Sequence, residues 1–345
     1  MKAEDAKSML DAFDREIEKR HIEGLWKAYA TPPSKEPHTD LKPCLWKWQD
    51  VYQDLIRAVD VVALGANEER RVLKLVNPGM QGKKSTTQTI QMSFQIVNPG
   101  ETARAHRHTI AAIRFVVKGK GAFTTVEGEK LEMEPGDLIL TPSWTWHDHG
   151  NESAEPIIWI DGLDSPLVHY LGVGFFEHFF EERQPVTRPA GFSLLQSGAL
   201  RPVERKAHEI LPCRYRGTDT VAALRARKDD GGSPFDGVLL EYVNPLTGGH
   251  TFPTLSCCIQ MLRTGEQTNG HRHTSSACYY AVSGRGSTFV GEEILNWEQG
   301  DCFVIPPWYW HRHANASRHD EAILFSLNDS PMLEALGMHR EESLD

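Results

Sequence analysis

His106 and His108 stand two residues apart, and His147 follows after two turn segments. If the first pair lies on a β-strand, both imidazoles leave the same face and reach one ion together. Two imidazoles from one strand and a third from a later hairpin form a neutral three-nitrogen set. Such a set suits Fe, Zn, Cu or Ni and leaves positions open for water or substrate.

The residues around them predict strands and turns in the right places. Ile110, Ile113, Phe115, Val116 and Val117 are β-branched or aromatic, and Lys118-Gly119-Lys120-Gly121 reads as a turn. A second turn at Glu134-Pro135-Gly136-Asp137 leads into Leu138-Ile139-Leu140 and a break at Pro142, just before His147. A lone histidine in a strand is ordinarily a packed or surface residue. Three in register, framed by turn glycines and a proline, point to a metal.

The second half repeats this pattern. Gly100-x5-His106-x-His108 and Gly136-x5-Pro142-x4-His147-x3-Asn151 return as Gly265-x5-His271-x-His273 and Gly300-x5-Pro306-x4-His311-x3-Asn315. Gln95 has a counterpart in Gln260, and Trp144-x-Trp146-His147-x-His149 one in Trp308-x-Trp310-His311-x-His313. Asp164-Ser165-Pro166 returns as Asp329-Ser330-Pro331. A duplication of such long period means two copies of one unit.

These two motifs resemble those of the cupin superfamily, small antiparallel barrels that hold a metal inside. The implied fold is mainly β: a bicupin of two antiparallel β-barrels (double-stranded β-helices) with a helical N-terminal arm and a linker. Residues 1–183 would form the arm and first barrel, and residues 184–345 the linker and second barrel. Cupins usually add a glutamate ligand shortly after the second histidine. Ala112 or Ile113 stands there instead, so the ion's charge stays uncompensated and favours an anionic, chelating substrate.

Length and composition agree with two globular domains. The 345 residues carry a formal net charge of −10 and no long basic stripe, which argues against nucleic acid as partner. No apolar run is long enough to span a bilayer, and the charged N-terminus lacks the apolar core of a secretory signal, so the expected location is cytoplasmic. The six cysteines show no C-x-x-C pair and read as free thiols in a reducing compartment. Met9, Phe13, Ile17 and Leu25 predict an amphipathic helix within Asp5 to Tyr29, and Val51 to Val62 predicts another. Trp46 and Trp48 read as packing residues. Arg70 to Val76 and Pro156 to Asp161 read as strands, and Gln184 to about Asp230, with Pro202 and Arg205-Lys206, as a linker.

More of the chain resembles one family. Leu45-Trp46-Lys47-Trp48, Arg70-Arg71-Val72-Leu73, Ala105-His106-Arg107-His108-Thr109, Arg114-Phe115-Val116, Trp159-x-Asp161-Gly162-Leu163-Asp164 and Asn244-Pro245-Leu246-Thr247-Gly248-Gly249 look like the gentisate 1,2-dioxygenases and their salicylate and 1-hydroxy-2-naphthoate relatives. The resemblance implies Fe(II) held by His106, His108 and His147. It also implies cleavage of gentisate (2,5-dihydroxybenzoate) by O2 between the carboxyl- and hydroxyl-bearing carbons, giving maleylpyruvate. By the same resemblance Arg114 and His149 grip the carboxylate, Gln95 lines the pocket, and Asp161 receives or relays a ring-hydroxyl proton. Either Arg70 or Arg71 reaches the pocket.

The C-terminal copy keeps His271, His273 and His311 as a second metal set, but has Tyr279 for Arg114 and Ser326 for Asp161. The expectation is catalysis in the N-terminal barrel. Where many relatives carry tryptophan, four residues before the pocket glutamine, this chain has Gln91. The alternative substrates are therefore salicylate, 1-hydroxy-2-naphthoate or a substituted gentisate. A zinc isomerase and a non-catalytic ligand-binding bicupin are further alternatives. Apolar outer barrel faces and a helical arm predict a homo-oligomer, and the resemblance implies a tetramer.

Overall fold

The strand Gln91–Val97 is buried along its whole length, although it alternates polar and apolar residues. Successive side chains leave a strand on opposite faces. Met92, Phe94 and Ile96 therefore enter one apolar core, while Gln91, Ser93 and Gln95 face the other way, into a barrel. Ala112–Lys118 divides in the same manner, with Ile113 and Phe115 in that core and Val116 in the barrel interior. A strand buried on both faces must have a partner beyond its own barrel. Here the partner is the other half of the chain.

The computed structural model describes residues 3–30, 34–64, 70–195 and 213–344. From Thr39 onward it forms one compact unit built from four antiparallel sheets. The N-terminal half has a six-stranded sheet in the order Arg214–Tyr215, Leu138–Thr141, Ala112–Lys118, Ile157–Leu163, Gln91–Val97, Arg71–Lys74. Its five-stranded sheet runs Phe176–His178, Thr102–His108, His147–Asn151, Ala122–Val126, Glu129–Met133. Val97, Val116, Ile139 and Trp159 from the first sheet meet Ala122, Val126, Leu131 and Met133 from the second in a shared interior. The C-terminal half repeats the plan, its interior holding Tyr279, Phe303 and Leu324 against Val290, Leu295 and Trp297. In both halves the ladders run as two facing sheets, the bicupin arrangement.

The two six-stranded sheets pack back to back. Phe115 stacks on Phe325 with centroids 4.4 Å apart, and Phe94, Ile160, Tyr242 and Leu327 complete the contact. At Gly162 an added Cβ would come within 2.4 Å of Leu327, so the close approach of the sheets there requires that the side chain be missing. Much of the apolar outer face of each six-stranded sheet is thus used within the chain. Phe115→Ala is expected to cost about 3–5 kcal/mol in urea unfolding, and Phe115→Leu less than about 1.5 kcal/mol. Equal midpoints for the two variants would contradict the packing.

Each half lends an edge strand to the other. Cys44–Trp46 pairs with Cys302–Ile305 of the C-terminal sheet, and Arg214–Tyr215 pairs with Leu138–Thr141 of the N-terminal one. The turn aspartates anchor both crossings: Asp301 accepts from the Trp48 backbone N–H (2.8 Å) and Lys47 Nζ (2.6 Å), Asp137 from the Gly217 N–H (2.9 Å) and Arg214 Nε (2.7 Å). A cut at residue 184 therefore leaves one strand of each sheet on the wrong side, and we retain it only as a proposed boundary between repeats. Pro202 and Arg205-Lys206 of the expected linker lie outside the described residues.

Helix Trp48–Val61 buries Leu55 and Ala58, and Trp48 packs 5.4 Å from Phe94, as expected of a packing tryptophan. Residues 1–38 form a separate compact unit. Its α-helix, Ala3–Glu18, is shorter than the predicted segment and is followed by a 3-10 turn over Leu25–Ala30. His21, at a left-handed φ of 58°, marks the break. Ile17 is buried while Met9, Phe13 and Leu25 are exposed. All six cysteines are free thiols.

Candidate metal centre

His106 and His108 end the strand Thr102–His108, and His106 is directly opposite His147 on the next strand. The same-face geometry expected from their spacing is present. One ring nitrogen from each of the three lies within 4.8 Å of the others. The Nδ1 atoms all meet backbone carbonyls: His106 that of Arg104 (2.6 Å), His108 that of Ile110 (2.8 Å), His147 that of Thr145 (2.9 Å). A carbonyl can only accept, so each Nδ1 carries the proton and each Nε2 is left with a lone pair. The Nε2 atoms of His106 and His147 are buried and without a hydrogen-bond partner. Buried orphan acceptors are rare unless something else satisfies them, and three convergent lone pairs fit a metal ion.

Burial keeps these imidazoles neutral and ready to ligate. It pushes His106 down to about 3, with the Arg70 charge adding to the effect, and His108 down to about 4. His147 lies well below the ordinary range for the same reason, its histidine neighbours contributing. In metal-free protein this makes stability depend on pH. The unfolded imidazoles titrate near 6.5, so the unfolded chain binds more protons below that value. Stability is then complete above about pH 6.5 and is lost as pH falls toward the folded values, by roughly 1 kcal/mol per histidine per unit. Urea midpoints in chelator at pH about 7.5, 6 and 5 should fall in that order; a flat series would refute it.

The remaining predicted residues surround the cluster. Arg114 extends from Ala112–Lys118 into the interior, where its guanidinium donates to Thr141 Oγ1. Its Nε is 3.4 Å from Asp161 Oδ1 in a buried ion pair. Burial lowers Arg114 to about 10, so it remains a cation at neutral pH. Asp161 also accepts from Trp159 Nε1 at 2.9 Å, and burial raises its pKa against the pull of Arg114. Asp161 thus holds Arg114 in place, a contact its strand-end position did not suggest. His149 has Nδ1 2.9 Å from Thr124 Oγ1, leaves Nε2 unpartnered, and is held neutral by burial and by Arg114. Gln95 Nε2 is likewise buried and unpartnered.

Arg71 is committed to Glu101 (2.6 Å) and the Val62 carbonyl (2.9 Å), whereas the Arg70 charge bears on His106, His108 and Arg114. Gln91 is buried and donates to the Met92 carbonyl at 2.7 Å.

Ser93, Thr124, Thr141 and Phe176 escaped the sequence reading. Ser93 opposes Asp161 across the ladder, and its hydroxyl is buried and unpartnered; its two-residue spacing from Gln95 was the available signal. Phe176 stacks on His106 with centroids 5.3 Å apart, from a strand too short and exposed to have a pattern. The C-terminal residues His271, His273 and His311 form a second cluster of the same dimensions.

Three convergent lone pairs, the buried Arg114 guanidinium and unpartnered amide and imidazole groups suit an anion that binds beside a cation. Known proteins agree. The Cupin domain family matches residues 93–163 and 258–327. The chain is 43% identical over 343 residues to a 5-aminosalicylate 1,2-dioxygenase of a Comamonas species, covering 97% of this chain and 90% of the relative. It is 36% identical to a gentisate 1,2-dioxygenase of Aquipseudomonas alcaligenes, with 95% of each chain covered. A crystal structure of salicylate 1,2-dioxygenase from Pseudaminobacter salicylatoxidans, in an adduct with gentisate, superposes with a TM-score of 0.89 at 32% identity, covering 97% of this chain and 94% of that one. The doubled cupin fold, the histidine cluster and this full-length similarity place the chain in the gentisate 1,2-dioxygenase family of ring-cleaving bicupin dioxygenases.

Proposed function

We propose that the N-terminal barrel binds Fe(II) through His106, His108 and His147 and cleaves gentisate with O2 between the carboxyl- and hydroxyl-bearing carbons. Both oxygen atoms enter the product, maleylpyruvate. The observation that carries this reading is the three neutral, convergent imidazoles with the buried Arg114 guanidinium beside them and the charge of Arg70 bearing on both. Iron bound there supplies one-electron exchange with dioxygen.

The chain's own residues do the rest. Arg114, pre-oriented by Asp161 and Thr141, offers a planar fork to the substrate carboxylate. His149, with its buried and unpartnered Nε2, grips the carboxylate alongside Arg114, and Gln95 lines the pocket. Asp161, whose pKa burial raises, takes or passes on a ring-hydroxyl proton. Phe176 over His106 shields that side of the site from water.

A second reading is a 5-amino substrate, favoured by the similarity to the 5-aminosalicylate enzyme. Amino and hydroxyl groups at that position both donate electrons to the ring para to the reacting hydroxyl. We further propose a cytoplasmic homo-oligomer, a tetramer by family resemblance. The exposed Tyr170, Leu171, Phe175 and Phe180 supply apolar contact surface for it.

The test is oxygen uptake by anaerobically Fe(II)-loaded protein with gentisate, 5-aminosalicylate, salicylate and 1-hydroxy-2-naphthoate, followed by the ultraviolet absorbance of the opened ring. One O2 per gentisate is expected. Uptake confined to another substrate moves the specificity and keeps the reaction, whereas silence on all of them sinks the reading.

A further inference from the structure

The two halves share a plan but invert the charge around their histidines. In the N-terminal half Arg114 opposes Asp161 across the ladder, and in the C-terminal half Tyr279 opposes Ser326 in the same register. The Tyr279 ring stacks on Phe303, centroids 4.7 Å apart and planes within 2°, and lies 5.3 Å from His313. It fills the interior where a substrate clamp would stand. The strand that covers each cluster changes as well: His108 pairs with Phe176 in one half and His273 with Glu341 in the other. Glu341 accepts from His271 Nδ1 at 3.0 Å, where His106 has only a backbone carbonyl.

A carboxylate also stands beside the second cluster. Asp236 Oδ1 is 3.9 Å from His271 Nε2, and its loop is tied by Ser233 Oγ to Asp236 Oδ2 (3.0 Å) and by Gln260 Nε2 to the Asp236 carbonyl (2.8 Å). Asp236 is thus a close neighbour of His271 that stands outside the three-nitrogen set of His271, His273 and His311. His273 and His311 turn Nδ1 to the carbonyls of Ser275 (2.9 Å) and Tyr309 (3.0 Å). The Nε2 atoms of His271 and His311 are buried and unpartnered.

We infer that His271, His273 and His311 form a second divalent-metal site that is flanked by two protein carboxylates, Asp236 and Glu341, and refuses aromatic acids. Its three imidazole nitrogens suit a first-row transition ion. The negative side chains beside it take the electrostatic place that the substrate anion takes in the other barrel, and the Glu341 contact makes His271 a stronger donor. The ion's role is structural, since Asp236 and Glu341 repel a carboxylate and Tyr279 leaves no clamp for one.

The experiment uses the full chain, Co(II) as the probe ion, elemental analysis for stoichiometry and the visible cobalt bands as the readout. Wild type should bind two Co(II) per chain. His106→Ala should retain one, with bands that salicylate leaves unchanged, and adding Asp236→Asn should weaken that remaining ion about 10- to 100-fold. No cobalt in His106→Ala, bands that respond to salicylate, or an unchanged affinity after Asp236→Asn would each overturn the proposal. Should His106→Ala fail to fold, stripped wild type titrated with Co(II) in excess salicylate gives the same answer: half of the bound cobalt should respond. Because the variant lacks the N-terminal site, the result stands apart from whether that site cleaves gentisate.

Discussion

Arg114→Met is expected to lower kcat/KM for gentisate by roughly two to three orders of magnitude, with a raised KM as the larger component. The guanidinium extends from a barrel strand into the interior and is held there by both Thr141 and Asp161. Truncating one partner of a buried charge pair costs about 2–5 kcal/mol, partly because the other charge is left unpaired. Asp161 would be left in that condition, so the variant should also melt earlier than wild type. The double variant Arg114→Met/Asp161→Asn separates the two effects. Removing both charges leaves nothing unpaired and should restore much of the melting temperature, while turnover stays low. Recovery of turnover in the double variant would show that Arg114 supports the fold and does not bind the carboxylate.

His147→Ala should abolish oxygen uptake and reduce bound iron at the N-terminal site, with a loss exceeding about 10³-fold. Disturbing only the outer partners of a metal ligand already costs about 10- to 100-fold. The stability readout should depend on the metal. Without it, His147 is a buried imidazole with an unpartnered nitrogen, and its loss should change urea unfolding by no more than about 1–2 kcal/mol. With iron in excess, the wild type gains stability through binding and the variant does not, so the gap between them widens with iron concentration. An iron-independent gap would mean that His147 serves the fold alone.

The chemistry was legible in the sequence wherever it depended on local periodicity. His106 and His108 share a face because strand side chains alternate, and the turns around Gly136 and Gly300 take φ of 89° and 94°, which glycine adopts without strain. The duplication was legible because each repeat is one local unit with its own turn and ligand spacing. The helix over Trp48–Val61 was readable for the same reason.

What the sequence by itself determined is thus the number of barrels, the two histidine sets and the family. Tertiary structure alone decided that the Arg70 charge bears on His106 while Arg71 is committed to Glu101, that Asp161 pairs with Arg114, and that Asp236 stands 3.9 Å from His271. It alone turned the apolar outer faces of the six-stranded sheets toward each other and exchanged their edge strands. The physical reason is common to all of these. A strand buried on both faces carries no signal of which face meets which partner, and contacts between residues far apart in the chain depend on pairings that no local window contains.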